Sequence, residues 1–311
     1  MDEIDLSVNL APKHPIGLWL TNPVMIASGT FGWDGFGSGI PKRLKLNMLG
    51  AVVVKTTTPS KRIGNPTPRI AHGSGWTLNS IGLENPGISD VLEKHAPKWE
   101  SWKTPVVLSL AGERLSEFES LAKHSDGVTG ISAFELNVSC PNVEGGLEFG
   151  QSSDLIFQVT RLVKSATTLP IIVKLSPNVT DITEMAAAAS EGGADAVTLT
   201  NTLKGMSIDP LKRTSKIGTI MGGISGNALR PISLAMVYAA RKAIDIPIIG
   251  VGGISTGVHA VEYLLAGASA VQVGSANFVD PYTPLSVLKG LKSYFKDHQI
   301  SSLDELVGSL P

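Results

Sequence analysis

The sequence predicts an α/β fold, namely a (β/α)8 TIM barrel, from two observations. Short runs rich in Val and Ile recur along the 311-residue chain, and they are apolar on both faces, as buried parallel strands are. Helical stretches separate most of these runs, at 153–165, 181–191, 230–243, 257–266 and 284–295. Eight βα units in roughly 250 residues or more are typical of this barrel. The predicted strands are 24–27, 51–54, 106–110, 134–138, 171–175, 196–199, 248–251 and 270–273.

The segment before the repeat predicts an N-terminal β-hairpin. Residues 4–10 and 17–20 read as short strands around Pro12-Lys13-His14-Pro15, and we expect them to cap one end of the barrel. A doubly wound sheet is the structural alternative. It is disfavoured because no Gly-x-Gly-x-x-Gly motif follows the first predicted strand. No boundary indicates a second domain, so residues 1–311 are predicted to form one domain.

Three connections are far longer than the few residues usual between a strand and its helix. They span 56–104, 140–152 and 201–229, and each follows the carboxyl end of a predicted strand. Barrel enzymes carry their active sites at that face. The sequence therefore predicts that long loops at the C-terminal face of the strands form the functional site.

Composition excludes several classes of function. Hydrophobic residues make up 42% and charged residues 17%, which is an ordinary globular balance and argues against disorder. A net charge of −1 argues against binding to nucleic acid or a membrane surface through bulk charge. One cysteine excludes an internal disulfide and a multi-cysteine metal site, so no metal is expected. The acidic first residues lack a signal pattern and no apolar run approaches a membrane span, so we expect a cytoplasmic protein.

The only cysteine lies at a chemically unusual place. The predicted strand 134–138 ends in a polar cluster, where Asn137 and Asn142 bracket Cys140 and Pro141 stops the strand. Glycines follow, so a flexible loop begins there. A lone cysteine is more often a small buried hydrophobe, but such a cysteine belongs in the middle of a strand. The buried amides would also cost free energy unless a polar ligand satisfied them. We therefore interpret this strand end as a ligand site.

The other strand ends carry polar residues as well. Lys55 and Lys174 each terminate a strongly apolar run, and a lysine in a barrel mouth is costly unless it meets an anion or carbonyl acceptors. The alternative for both is a solvated surface lysine. Asn79 and Asn201 fall at similar breaks in the apolar pattern. The remaining polar residues at or after strand ends are Ser28, Thr56, Ser109, Thr200 and Thr202.

Glycines follow the last two predicted strands. Barrels often bind phosphate there, with backbone N–H groups and a helix N-terminus. Gly252, Gly253, Gly274 and Ser275 occupy these positions, and Gly226 could join the same edge. These glycines could instead be simple turns, but the barrel setting favours a phosphate site.

With these residues in place, the sequence resembles dihydroorotate dehydrogenase over essentially its whole length. The Asn79 and Cys140 motifs together are highly specific, whereas many phosphate-binding barrels share the glycine motifs. The matching segments are Asn22-Pro-Val-Met-Ile-Ala-Ser-Gly-Thr-Phe-Gly, Lys55-Thr56, Gly64-Asn-Pro-Thr-Pro-Arg-Ile, Asn79-Ser-Ile-Gly-Leu-Glu-Asn-Pro-Gly, Asn137-Val-Ser-Cys-Pro-Asn, Lys174-Leu-Ser-Pro-Asn, Asn201-Thr202 and Gly250-Val-Gly-Gly-Ile.

The resemblance implies a single FMN-binding barrel that oxidises (S)-dihydroorotate to orotate in pyrimidine biosynthesis. It implies that Cys140 accepts the C5 proton, that Lys174 stabilises the reduced flavin, and that Lys55 meets the substrate carboxylate or the flavin. One departure is Ser109, where the family often has Asn. The implied substrate-binding residues are Lys55, Asn79, Ser80, Ile81, Gly82, Leu83, Asn137, Asn142, Asn201 and Thr202. The implied flavin-binding residues are Ser28, Lys55, Thr56, Ser109, Asn137, Lys174, Thr200, Gly226, Gly252, Gly253, Gly274 and Ser275.

The subclass also follows from the resemblance. The quinone-using class carries a serine base and an N-terminal helical extension, whereas this sequence has Cys140. Among the cysteine (class 1) types, the Ser28 and Asn79 motifs resemble the NAD-linked type 1B catalytic subunit. That form works with a partner subunit that carries FAD and a [2Fe-2S] cluster, as a heterotetramer around a homodimer core. The sequence itself has neither a cysteine set for a cluster nor a dinucleotide fingerprint.

Other functions stay open at the level of sequence. The fumarate-linked class 1A enzyme is the nearest alternative. Another FMN barrel, such as a dihydrouridine synthase or a different pyrimidine reductase, is a second, although neutral charge disfavours a tRNA substrate. A flavin-free nucleotide dehydrogenase with a loop cysteine is a third. The last is a flavin-binding subunit without turnover, which the retained Cys140, Lys55 and Lys174 disfavour.

Overall fold

The computed structural model describes residues 4–36, 44–139 and 149–310. Its strands, numbered in chain order, are β1 (Val8–Asn9), β2 (Trp19–Leu20), β3 (Val24–Ile26), β4 (Ala51–Thr57), β5 (Ile70–Gly73), β6 (Trp76–Asn79), β7 (Val106–Leu110), β8 (Ala133–Asn137), β9 (Ile171–Lys174), β10 (Ala196–Leu199), β11 (Leu203–Gly205), β12 (Ile208–Asp209), β13 (Thr214–Ser215), β14 (Gly222–Ser225), β15 (Ile248–Val251) and β16 (Ala270–Val273).

Eight of the strands in the described ranges close into a parallel barrel, in the order β3-β4-β7-β8-β9-β10-β15-β16 and back to β3. These are the eight predicted apolar runs, so the predicted (β/α)8 barrel is confirmed. The α-helices within the described residues are α1 (Ile88–Trp99), α2 (Leu115–Ser125), α3 (Ser153–Ala166), α4 (Ile182–Glu191), α5 (Arg230–Arg241), α6 (Gly257–Leu265) and α7 (Thr283–Asp297).

Helix α3 illustrates why the helical segments form where they do. The Ser152 hydroxyl caps its first turn by accepting a hydrogen bond from the Leu155 N–H. Ile156, Val159 and Val163 follow at helical spacing and are fully buried in the core around the barrel. The polar face of the helix points outward, so one amphipathic segment covers the barrel strands behind it.

The N-terminal hairpin closes the bottom of the barrel, as predicted. Strands β1 and β2 pair antiparallel, with Val8 opposite Leu20 and Asn9 opposite Trp19. Leu10, Leu18 and Leu20 are buried in one apolar cluster with the inward-facing residues at the amino ends of the barrel strands. Those inward-facing residues are Met25, Ala51, Val53, Val107, Ala133, Ile172, Ala196, Ile249 and Ala270.

Two of the long connections fold together into a second sheet. It is antiparallel, four-stranded and ordered β5-β6-β14-β11. Strands β5 and β6 come from the connection after β4, and β11 and β14 from the connection after β10. In this sheet Asn79 on β6 lies opposite Gly223 on β14. The sheet thus joins two loops from opposite parts of the sequence at the C-terminal end of the barrel.

None of the helices in the described ranges combines the length and the apolar character that a membrane-crossing helix needs.

Candidate active site

The alternation of side chains along each barrel strand creates the site. On β8, Ala133, Glu135 and Asn137 share the inward face, because every second residue of a strand points the same way. On β9, Ile172 belongs to the apolar bottom layer, so Lys174 points inward two residues further on. The backbone of Lys174 pairs with Asn137 on one side and with Thr198 on the other. The strands therefore change from an apolar bottom to a polar top.

Hydroxyl groups from three neighbouring strand ends are joined by hydrogen bonds. The Thr56 hydroxyl lies 3.2 Å from the Ser28 hydroxyl and 2.8 Å from the Ser109 hydroxyl. The Asn137 amide also donates to the Thr56 hydroxyl, at 3.4 Å. Ser109, at which the family often has Asn, is thus part of a continuous polar row. Ser28, Thr56, Ser109 and Asn137 come together as the sequence predicts.

The row continues through a second amide. The Nδ2 atom of Asn201 donates to Oδ1 of Asn137 and to the Ser139 hydroxyl, at 3.0 Å each. Oδ1 of Asn201 accepts from the N–H of Thr202, at 2.8 Å. Ser139 was not among the predicted site residues, yet its contact fixes the chain directly before Cys140. Cys140 and Asn142 themselves lie outside the described residues.

The segment from Asn79 to Leu83 begins at the last residue of β6 and is held by hydrogen bonds. The amide of Asn79 donates to the Gly223 carbonyl at 3.2 Å. Asn65 fixes the next residues, because its Nδ2 donates to the Ser80 hydroxyl at 2.7 Å and its N–H donates to the Ile81 carbonyl at 3.0 Å. Gly82 has a φ of +73°, and Leu83 has a φ of +54°.

The same sheet connects this segment to Asn201 and Thr202. A Cβ atom on Gly223 would collide with the hydroxyl of Thr202, so the glycine allows β14 to pass close to that residue. Gly223 also accepts the hydrogen bond from Asn79. Gly223 therefore brings together Asn79 and Thr202, which are far apart in the sequence, and Asn201 directly precedes Thr202.

The Gly252–Gly253 turn lies tightly against the helix that precedes it in the chain. Gly252 has a φ of +141°, and a Cβ on it would come within 2.5 Å of the Ser233 hydroxyl. Gly253 has a φ of +64°, and a Cβ on it would lie 2.8 Å from the Cβ of Arg230. Both positions require glycine, because an L side chain rarely adopts such a backbone conformation and would not fit.

Polar residues that sequence reasoning missed support this turn. The Tyr263 hydroxyl donates to the Gly252 carbonyl at 2.8 Å, and burial raises the pKa of Tyr263, so the hydroxyl stays a donor. The Ser233 hydroxyl lies 2.9 Å from that of Thr200, which links α5 to the end of β10. Both residues are helical in the sequence pattern, and only the fold places them at a strand end.

The two lysines lie at strand ends, as predicted. Lys55 is near the end of β4, and its N–H donates to the Gly32 carbonyl at 2.9 Å. Its side chain passes close to Gly29, where an added Cβ would lie 3.9 Å from the Lys55 Cδ. The Lys174 side chain is almost fully buried, and its Nζ lies 3.7 Å from Oε1 of Glu135.

Glu135 is a further residue that sequence reasoning missed. It is completely buried inside the barrel, one inward position below Asn137. Its Oε2 accepts hydrogen bonds from the Thr198 hydroxyl and from the Gln272 amide, at 3.0 Å each. The available signal was a single acidic residue that shares the inward alternation of a strongly apolar strand.

The glycines after the last two barrel strands suit a phosphate group at one side of the mouth. The Gly252–Gly253 turn brings backbone close to the start of α5, while Gly274 offers open space, since an added Cβ would meet only Ala27, at 3.8 Å. Ser275 begins the short helix Ser275–Phe278 directly after it. No cluster of His, Asp or Glu suited to a metal ion occurs in the described ranges. These features define a (β/α)8 barrel with a glycine-rich turn and an amide-lined mouth.

Comparisons with known proteins identify the family. The dihydroorotate dehydrogenase family model matches residues 12–295. The "dihydroorotate dehydrogenase B (NAD(+)), catalytic subunit" of Desulforamulus reducens is 46% identical over 306 residues, which are 98% of this chain and 99% of that protein. The protein of the same name from Alkaliphilus metalliredigens is 45% identical over 311 residues and all of both chains. This chain therefore belongs to the dihydroorotate dehydrogenase family, and the resemblance seen in its motifs is confirmed.

A solved structure supports the fold independently. The crystal structure of DHODH in complex with ferulenol from Eimeria tenella superposes with a TM-score of 0.80 at 23% identity. The match covers 98% of this chain and 88% of that one. At this level of identity, the similarity concerns the architecture of the barrel.

Proposed function

We propose that this chain is the catalytic subunit of an NAD-linked dihydroorotate dehydrogenase, which oxidises (S)-dihydroorotate to orotate in pyrimidine biosynthesis. Full-length relatives at 43–46% identity carry that name. The observation that carries the proposal is the row of hydrogen-bonded side chains from Ser28 through Thr56 and Asn137 to Asn201, at the end of the barrel where such enzymes act.

The family is flavin-dependent, and we infer that the flavin here is FMN. Gly226, Gly252, Gly253, Gly274 and Ser275 would hold its phosphate through backbone N–H groups. Ser28, Thr56, Ser109, Asn137, Thr200, Lys55 and Lys174 would surround the ring. When bound, FMN supplies the two-electron acceptor for the hydride that leaves C6 of the substrate.

The remaining chemistry belongs to side chains of this chain. Dihydroorotate is a cyclic ureide with a carboxylate, and amides pair with its N–H and C=O groups through both donors and acceptors. Asn79, Asn137, Asn142 and Asn201, with the backbone from Ser80 to Leu83 and Thr202, would orient it, and Lys55 would meet its carboxylate. Cys140 then accepts the C5 proton as the C5–C6 double bond forms. Lys174, which is almost fully buried, would stabilise the negative charge that arrives with the hydride.

A partner subunit completes the reaction. The relatives are named catalytic subunits, which implies a second subunit in their complexes. We propose that the partner of this chain carries FAD and a [2Fe-2S] cluster and passes electrons to NAD⁺, in a cytoplasmic heterotetramer built on a dimer of barrels. The whole chain, residues 1–311, acts in it as one FMN-binding domain.

The proposal is tested by measuring NADH formation from dihydroorotate with the purified chain, alone and with the partner subunit. The chain alone should reduce artificial dyes but not NAD⁺, and the partner should confer NADH formation. Fumarate as the acceptor is the control reaction. Efficient fumarate reduction without any gain from the partner would contradict the NAD-linked assignment and favour the fumarate-linked class.

A further inference from the structure

Glu135 is a buried charged residue to which the proposed mechanism assigns no role. Its side chain is 0% exposed, and it lies in the barrel one inward position below the amide of Asn137. The Thr198 hydroxyl and the Gln272 amide both donate to its Oε2, at 3.0 Å. These donors match an ionised carboxylate, which only accepts hydrogen bonds. The barrel thus holds one carboxylate oxygen firmly in its centre.

The other oxygen of Glu135 faces Lys174. Oε1 has no hydrogen-bond partner among the described residues, and the Lys174 Nζ lies 3.7 Å from it. This separation exceeds the usual hydrogen-bond range of about 2.7–3.2 Å, so the contact is an ion pair without a hydrogen bond. The Lys174 ammonium therefore lies close to the negative charge of Glu135 without donating a hydrogen bond to it.

Lys174 needs such a counter-charge. It is 7% exposed, and burying an ammonium is strongly unfavourable unless an opposite charge lies nearby. Its neighbours along the sheet, Asn137 and Thr198, are neutral. The charged and polar residues around it are Glu135 and Asn137 on β8, Thr198 on β10, Gln272 on β16 and, at the same end of the barrel, Lys55 on β4.

We propose that Glu135 is a positioning residue, which keeps Lys174 protonated in both oxidation states of the bound flavin. This inference rests on the proposed function, since it takes the flavin to lie above Lys174. Without the carboxylate, the buried ammonium loses its proton more readily while the flavin is oxidised. Two-electron reduction brings negative charge to the flavin, so the amine then regains that proton. The variant consequently takes up one more proton per two electrons than the wild type.

The test is the pH dependence of the flavin midpoint potential, measured between pH 6 and 9 by reduction against a reference dye. One additional proton per two electrons changes the reduction equilibrium tenfold per pH unit, which is about 30 mV per pH unit. Glu135→Gln should show this extra slope over part of the range. The double variant Glu135→Gln/Lys174→Met should lose it, because the titrating amine is gone.

Thr198→Val is the matched control, since it removes one hydrogen bond to Glu135 and keeps both charges. It should follow the wild-type slope. A wild-type slope in flavin-bound Glu135→Gln, or the extra slope in Thr198→Val, would overturn the inference.

The double variant also decides the case in which Glu135→Gln fails to fold. Removing both charges should then restore folding, because the unpaired ammonium is absent. A double variant that also fails to fold would mean that Glu135 has only a structural role. A wild-type protein that binds no flavin would instead remove the proposed function on which the inference depends.

Discussion

The two ends of the barrel interior are built from the same eight strands and yet differ completely. At the bottom, Leu10, Leu18 and Leu20 of the hairpin segment pack on Ala133 and Ile172 in a purely apolar layer. Two residues further along the same strands, the inward positions carry Glu135 and Lys174. Because alternation fixes which residues face inward, the difference arises only from the residue types chosen at each level. The bottom stabilises the fold, whereas the top carries the residues of the proposed active site.

This comparison predicts that substitutions at the top of the barrel lower activity, whereas substitutions at the bottom lower stability. The largest effect is expected at the top. Cys140→Ala should lower dihydroorotate oxidation by about 10²- to 10⁴-fold, the usual cost of losing a general base, while flavin stays bound. Steady-state turnover per bound flavin measures the effect.

Cys140→Ser serves as the companion variant. It should keep a little activity, shifted to higher pH, because a free thiol has a pKa of roughly 8.5 and a hydroxyl is a far weaker acid. Near wild-type turnover of Cys140→Ala would show that another residue accepts the C5 proton.

A smaller effect is expected at the bottom, and on stability alone. Leu20 is 1% exposed in the apolar layer, so Leu20→Ala should lower the free energy of unfolding by about 2–5 kcal/mol. Turnover per bound flavin should stay near that of the wild type below the unfolding transition. Urea denaturation of the purified protein measures the difference.

Trp19→Ala is the matched control for Leu20→Ala. Trp19 neighbours Leu20 on β2 but is 66% exposed, so its replacement should change the free energy of unfolding by about 0.5 kcal/mol or less. If Leu20→Ala instead removed activity without loss of stability, the division between bottom and top would be wrong.

The barrel could be predicted from sequence alone, because its strands are buried on both faces and so stand out as continuous apolar runs. The sequence also identified the five helices with clear patterns, whose observed ends lie close to the predicted ones. The sequence did not predict the sheet β5-β6-β14-β11. Those strands have three or four residues each, and β6 pairs with β14 across more than 140 positions of sequence. Short strands with distant partners leave no local periodicity.

The site, like the fold, could be predicted from the sequence only in part. The motif residues at strand ends, such as Asn137 and Asn201, meet in the structure as predicted. Glu135, Thr198 and Gln272 were missed because each is a single polar residue within an apolar strand. The role of these three residues depends on which side chains face one another across the closed barrel, and only the folded structure shows that. The roles assigned to Cys140 and Asn142 stay predictions.

The most direct test of the whole account is anaerobic mixing of dihydroorotate with the purified chain, followed by its visible spectrum. We predict a yellow protein with about one FMN per chain, whose flavin absorbance is bleached by dihydroorotate as orotate forms. A protein that is colourless and cannot be reconstituted with FMN, or a bound flavin that dihydroorotate does not bleach, would contradict the account.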